Sequence, residues 1–520
     1  MVESLQRVFF RAAVVLGFLC QTTAQAQSGG IPLWTNRYHG PAIGNSPTAM
    51  TVDSSGNVFV TGASNNTNGH PDYATIKYSG AGVPLWTNRY NGPGDYNDQA
   101  NAIAVDGSGN VFVAGYSAGD CCSTDYAIIK YSAAGLPLWT NRYNGVGYGS
   151  DTARAMAVDR SGNVFVTGSS QGTISGYDYV TIAYSGAGVP LWINRYNGPG
   201  NGSDRAAAVA VDGSGNVVVT GYVTGTNLYY EYATIKYSAA GVPLCTNLYN
   251  GPGGSSGASA VAVDGSGNVF VTGGSWDIGG DNDYATIKYS GAGVPLWTNR
   301  YKGPNYNDLA NAIAVDGSGN VFVTGYSDSR GTAFDYATIK YSGDGVPLWT
   351  NRYDGNSDDY AYAIAVDRSG NVFVTGHSYR ASSRDDYVTV AYSGAGVPLW
   401  TNRYDGNVGD DDAIAVAVDS NGNVFVTGFS AGTNGYSDYT TIKYSSVIPP
   451  SLTVARTPTN TVAVSWPSPS TGFTLQQNTN GIATANWSNV VTTPLDDGTT
   501  KTVIVNPPAG NRFYRLKQGQ

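Results

Sequence analysis

Val105-Asp106-Gly107-Ser108-Gly109-Asn110-Val111-Phe112-Val113-Ala114-Gly115 reads as the end of one strand, a tight turn and most of a second strand. Asp, Gly, Ser and Asn supply turn chemistry, and β-branched or aromatic residues flank them. Near-copies recur along the chain. The turn asparagine is Asn57, Asn110, Asn163, Asn216, Asn268, Asn320, Asn371 and Asn423, at successive spacings of 53, 53, 53, 52, 52, 51 and 52 residues. Self-similarity at a fixed period of this length marks a repeat architecture.

Working outward from that turn, one period holds four short runs: Ala102–Asp106 (strand A), Asn110–Ser117 (B), Asp125–Tyr131 (C) and Leu136–Tyr143 (D). Each is bounded by turn residues, which predicts antiparallel strands and an all-β fold. Four strands in one such period match a blade of a β-propeller. Strand A is Ala-rich and suits the crowded centre. Strand D carries Trp, Tyr and a proline, which an outer edge tolerates because no ladder bond is lost. The framing predicts closure. Residues 31–38 form a lone D strand, and the last repeat has A, B and C but no D. An eight-bladed propeller is expected, its last blade completed by the N-terminal strand, which removes two exposed edges. A four-residue C–D turn sets Asp72 opposite Arg89, and the same acid–base pairing is expected in six other blades, Asp438 with Arg37 among them. Glu231 and Leu248 break it together in one blade. Such pairs read as structural, each contributing roughly 0.2–1 kcal/mol.

Composition agrees. The 520 residues include 69 glycines and 38 tyrosines, and only 12% are charged, which suits short strands and tight turns. Residues 1–26 read as a secretory signal: Arg7 and Arg11, an apolar Ala12–Leu19, then Ala24-Gln25-Ala26. Eight apolar residues are too few to span a bilayer. Removing Glu3, Arg7 and Arg11 takes the net charge from −9 to −10, which argues against nucleic acid as a partner. A secreted, cell-surface or periplasmic monomer is expected. Three cysteines remain after residue 26, so no complete disulfide framework is possible. The adjacent Cys121 and Cys122 read as a loop substitution, with two thiols or one labile bridge.

The run Ala312–Ser327, Ala-Ile-Ala-Val-Asp-Gly-Ser-Gly-Asn-Val-Phe-Val-Thr-Gly-Tyr-Ser, resembles the bacterial secreted propeller repeat known as the SBBP repeat, and copies of it cover residues 31–445. The resemblance implies a propeller and an exported setting, and brings no established activity or catalytic residues. The organisation expected is a signal at 1–26, a propeller at 27–446, a Pro linker at 447–451 and a module at 452–520. The last reads as about six strands and resembles a fibronectin type III or immunoglobulin-like β-sandwich.

The A–B and C–D turns barely vary. The D–A and B–C loops differ from repeat to repeat and share the opposite face, where function is expected. The D–A loops carry a recurring acid: Asp98, Asp151, Asp204, Asp308, Asp359 and Asp411, thickened by Asp358, Asp410 and Asp412. Carboxylates near a channel mouth suggest a Ca²⁺ site, but no Asp-x-Asp-x-Asp-Gly loop appears, and capping of each turn by its carboxylate is the favoured reading. Aromatics crowd the same loops: Tyr96, Tyr148, Tyr177, Tyr230, Trp276, Tyr306, Tyr360 and Tyr379. Flat rings beside Asp and Asn suit a sugar or a protein surface. With no catalytic constellation in view, the expected function is binding or scaffolding for a glycan or protein partner. The alternatives are a polysaccharide hydrolase or lyase using the channel-mouth Asp residues, and a structural surface or matrix protein.

Overall fold

The computed structural model describes residues 30–445 and 452–518, apart from 120–122, 147–148, 174–175, 330–332, 381–383, 407–408, 433–434, 458, 460, 469–472, 480–485 and 506–511. The signal segment, Tyr148, Cys121, Cys122 and the linker lie outside the described residues. Two compact units are present, one spanning Gly29–Ile448 and the other holding Pro449–Gln520.

In the first unit, residues 45–90, 98–143, 151–196, 205–249, 256–301, 308–353 and 359–404 each form a four-stranded antiparallel sheet. They are numbered here as sheets 1 to 7. Sheet 8 joins three strands from residues 411–444 to Pro32–Tyr38, which pairs antiparallel with Ser437–Tyr444. Each sheet runs A-B-C-D in order. The central strands are almost wholly buried: Val111–Ala118 and Thr124–Tyr131 in sheet 2 contribute Val111, Phe112, Val113, Ile128 and Tyr131 to the core. Successive sheets interleave these side chains, so Phe112 and Tyr126 of sheet 2 pack with Val164, Val180 and Tyr184 of sheet 3.

The same polar bonds link neighbours. Lys130 Nζ donates to the Gly186 carbonyl, 2.7 Å, and Trp139 Nε1 to the same oxygen, 3.3 Å. Between sheets 8 and 1 the equivalents are Lys443 Nζ and Trp34 Nε1, both donating to the Gly80 carbonyl at 2.8 and 3.2 Å.

The opening motif explains itself locally. Asp106 Oδ1 accepts from the amides of Ser108 and Asn110, both 2.9 Å, and Asp106 Oδ2 from Asn110 Nδ2, 2.8 Å. Gly109 takes φ 78°, a left-handed turn position. Gly115 is needed for another reason. A Cβ there would lie 1.9 Å from the Gln99 carbonyl oxygen, because strand A bulges toward it.

That bulge corrects the expected strand boundary. Strand A of sheet 2 is Asp98–Val105, four residues longer at its start than the alternating pattern suggests. The ladder skips Asn101 between Ala100 and Ala102, and the same skip occurs in all eight A strands. An extra residue breaks the period of two and hides the first half of the strand.

The second unit has a four-stranded sheet, Thr453–Arg456, Val462–Pro467, Thr500–Val505 and Leu495–Asp496 in spatial order. A three-stranded sheet holds Phe473–Asn478 between Ser488–Asn489 and Phe513–Gln518. Val464, Trp466 and Val503 from the first pack with Leu475 from the second.

Candidate functional site

The recurring acids sit deeper than a loop position implies. Asp98, Asp151, Asp308, Asp359 and Asp411 are the first residues of their A strands, and with Asp204 they are at most 1% exposed. Each holds a loop closed. Asp98 Oδ2 accepts from the Gly92 amide, Asp359 Oδ2 from Gly355 and Asp411 Oδ2 from Gly406. Asp204 accepts from the amides of Gly198 and Thr224. Burial pushes the carboxyls of Asp204, Asp359 and Asp411 up to about 6, against the hydrogen bonds that lower them. Asp410 is exposed. Asp358 accepts from the Phe334 amide, 3.0 Å.

The expected acid–base pairs form in six sheets, at 2.5–2.8 Å, from Asp72–Arg89 to Asp386–Arg403. Two details differ from expectation. Arg89 lies opposite Ala74, not Asp72, because the turn holds five residues, 79–83, rather than the expected four, and a bulge between Lys77 and Tyr78 adds one more step, so the pair is diagonal. Asp438 pairs with His39 Nδ1 at 2.6 Å, while Arg37 donates to Ser430 and Ala431. His39, the residue directly after that strand, is an asparagine, lysine or aspartate in the other repeats, and here its ring takes up the carboxylate. Asp359 comes close to Asp335, and Asp411 to Asp386. In both places an arginine, Arg352 or Arg403, already binds the neighbouring carboxylate.

Aligning the sheets isolates three same-face positions that vary where their surroundings repeat. On strand A they are Ser46, Gln99, Thr152, Arg205, Gly257, Leu309, Tyr360 and Asp412. On strand B they are Ala63, Tyr116, Ser169, Tyr222, Gly274, Tyr326, His377 and Phe429, each directly paired with its strand-A counterpart. On strand C they are Pro71, Thr124, Tyr177, Tyr230, Asn282, Phe334, Asp385 and Ser437. This belt meets the next sheet at the loop end. Arg205 lies over the Tyr177 ring at 5.0 Å, and Tyr326, Phe334 and Tyr360 form an aromatic trio with centroids 4.9–5.3 Å apart.

Two places in the belt are unusual. In sheet 5 the cross-strand pair is Gly257 and Gly274, and the missing side chains open a notch of about 150 Å³. Its walls include Tyr222, Tyr230, Trp276, Asn282 and Leu309. Tyr230 and Trp276 are 45% and 46% exposed, which leaves their rings available to a ligand. In sheet 7 the belt holds His377, with Nδ1 2.9 Å from Asp412 Oδ1 of sheet 8 and Nε2 4.0 Å from Asp385 Oδ1. Tyr360 and Tyr362 flank the imidazole at 5.1 and 5.4 Å. Burial pulls the imidazole down, but the Asp412 carboxylate beside it outweighs that and leaves His377 above its ordinary value.

Residues 86–120, 139–174, 296–331 and 349–379 match the model of the SBBP β-propeller repeat. These segments are β-propeller repeats. A curated relative, an uncharacterised WD repeat-containing protein of Acanthamoeba polyphaga mimivirus, is 24% identical over 488 residues. The alignment takes in 75% of this chain and about a third of that protein's length (33%). Among solved structures, Sqt1 from Chaetomium thermophilum superposes with a TM-score of 0.50 at 8% identity, covering 80% of this chain and 99% of that one. That likeness shows the fold alone. The WD40 domain of SCAP from fission yeast gives a TM-score of 0.43 at 8% identity, over 79% of this chain and 94% of that one. Among the described residues no helix is long and apolar enough to cross a membrane.

Across the first unit, the aromatic residues singled out from sequence scatter. Tyr230 and Trp276 share the notch, and Tyr360 joins the trio. Tyr96 meets His70 edge-on at 5.7 Å, while Tyr306 and Tyr379 are 63% and 41% exposed. Sequence reasoning missed Tyr222, the two glycines, His377 and Asp385. The signal was available: these are variable positions inside strands whose neighbours repeat almost letter for letter.

Proposed function

We propose that the chain is an exported binding protein whose eight sheets form a propeller ring closed by Pro32–Tyr38, and that it takes a glycan on the loop-rich face. The observation that carries this reading is the notch of sheet 5. Three aromatic rings border a recess opened by two glycines, and Asn282 supplies an amide beside them. An apolar ring face with a few polar groups at its edge is what a sugar ring needs, apolar on one side and hydroxylated at its rim. Ring closure is supported by the Lys443 and Trp34 bonds to Gly80, which repeat the bonding between other neighbours. Export is supported by the sequence of residues 1–26, with mature numbering from 27. The module at 452–520, with its two packed sheets, suits an attachment or spacer role of the fibronectin type III kind.

The test is a glycan array probed with the mature chain. Trp276→Ala and Tyr230→Ala should each weaken a hit by about tenfold or more, as truncating an aromatic anchor at a binding site does. Gly257→Arg should abolish it by filling the recess, because a Cβ there meets only Tyr222 at 3.7 Å. A hit insensitive to all three, or an empty array, overturns the reading.

A further inference from the structure

The belt of sheet 7 carries an imidazole between two carboxylates that come from different strands and different sheets. We propose that His377, Asp385 and Asp412 form a binding site for a first-row divalent cation of the zinc type, at the seam between sheets 7 and 8. The site is independent of the glycan notch in sheet 5.

Three features argue for it. One donor atom from each residue lies within 4.8 Å of the other two. Asp412 Oδ1 lies 2.9 Å from Nδ1, an ion-pair contact on one edge of the ring, and Asp385 Oδ1 approaches the other edge. The 4.0 Å from Nε2 to Asp385 Oδ1 is too long for a hydrogen bond. It is a gap that an ion held about 2.0–2.2 Å from nitrogen and oxygen can bridge. His377 is itself only 9% exposed, and rings on two sides hold it in place. The pleat puts Asp385 on its face: Tyr387 lies opposite His377, and Asp385 is two residues before Tyr387.

A surface ion pair needs one carboxylate; here a second one approaches the other nitrogen, so two like charges meet at one imidazole. A dication relieves that repulsion. The mixed nitrogen–oxygen donor set selects against Ca²⁺, which takes six to eight oxygens.

The experiment uses the untagged chain, stripped with chelator and titrated calorimetrically with Zn²⁺, Mg²⁺ and Ca²⁺. Co²⁺ serves as a spectroscopic stand-in through its visible absorption. One Zn²⁺ per chain is expected, with a rise in melting temperature that Ca²⁺ and Mg²⁺ do not reproduce. Asp385→Asn, at a part-exposed side chain, should abolish it, as should His377→Gln. Asp412→Asn should weaken binding about tenfold to a hundredfold, the usual loss when an orienting partner is removed. His39→Ala, beside Asp438, should leave binding unchanged. Absence of a Zn²⁺ site, preference for Ca²⁺, or binding that survives Asp385→Asn overturns the proposal. Should His377→Gln fail to fold, Asp385→Asn decides alone.

Discussion

At Cys245 a thiol stands where the seven other D strands carry tryptophan. Each indole packs on a turn glycine of the next sheet, and Trp192 Nε1 donates to the Ala239 carbonyl at 3.0 Å while its ring meets Tyr237 at 5.7 Å. At Cys245 that slot, bordered by Lys236, Tyr289 and Gly293, is underfilled. Cys245→Trp should therefore stabilise the first unit by about 0.5–2 kcal/mol, the usual return for filling such a gap. Chemical denaturation of the two proteins measures it, and a lower midpoint for the variant counts against the packing argument. Asp411 makes a second residue-scale case. Asn45 holds the equivalent place in sheet 1, accepting the Ser64 hydroxyl at 2.6 Å. Asp411→Asn should fold and, at neutral pH, melt no lower than the parent, because a buried charge is removed while the acceptor remains.

The element that decides the architecture is the bulged A strand. Its extra residue brings the strand-A carbonyl so close to strand B that only glycine fits at Gly115 and its equivalents. The bulge residue also ties neighbouring sheets, as when Asn101 Nδ2 donates to the Ala153 carbonyl at 2.8 Å. Gly115→Ala sets a methyl against backbone, which cannot rotate away. The expected cost is about 1–3 kcal/mol or more, read as a lower denaturation midpoint and faster proteolysis of the first unit. Glycine at this position was plain in the sequence. Its reason was not, because a bulge leaves no mark in an alternation pattern beyond a shorter apparent strand.

For the whole molecule, the buried acids set the response to pH. Asp204, Asp359 and Asp411 titrate near 6 when folded, against an ordinary carboxyl value of 3.8, with burial as the main cause. Asp98, Asp151 and Asp308 are raised in the same direction. A carboxyl raised on folding favours the native state in its protonated form. That contribution is complete below about 3.8 and is lost as pH rises through about 6. Asp212, lowered on folding, opposes this only below its ordinary value. The melting temperature should climb as pH falls from 7.5 to 5, and Asp411→Asn should flatten the climb. Melts across that range check it; a fall in melting temperature toward pH 5 rules it out.

The repeat, its four strands and their A-B-C-D order within each sheet followed from Val105–Gly115 and its copies, because period and turn chemistry are local properties. The acid–base pairs followed too, in six of seven places, although their diagonal register depended on a bulge. Tertiary structure decided everything that depends on which sheet meets which. Asp98 and its equivalents are adjacent to loops in sequence, yet the packing of neighbouring sheets buries them. Gly257 and Gly274 are ordinary strand glycines until Tyr222, Tyr230 and Trp276 rise around them. His377 gains its two carboxylates from residues 8 and 35 positions away, one across a strand and one across a seam. A sequence states what each residue can do; a site arises where separate strands bring such residues within a few ångströms of one another.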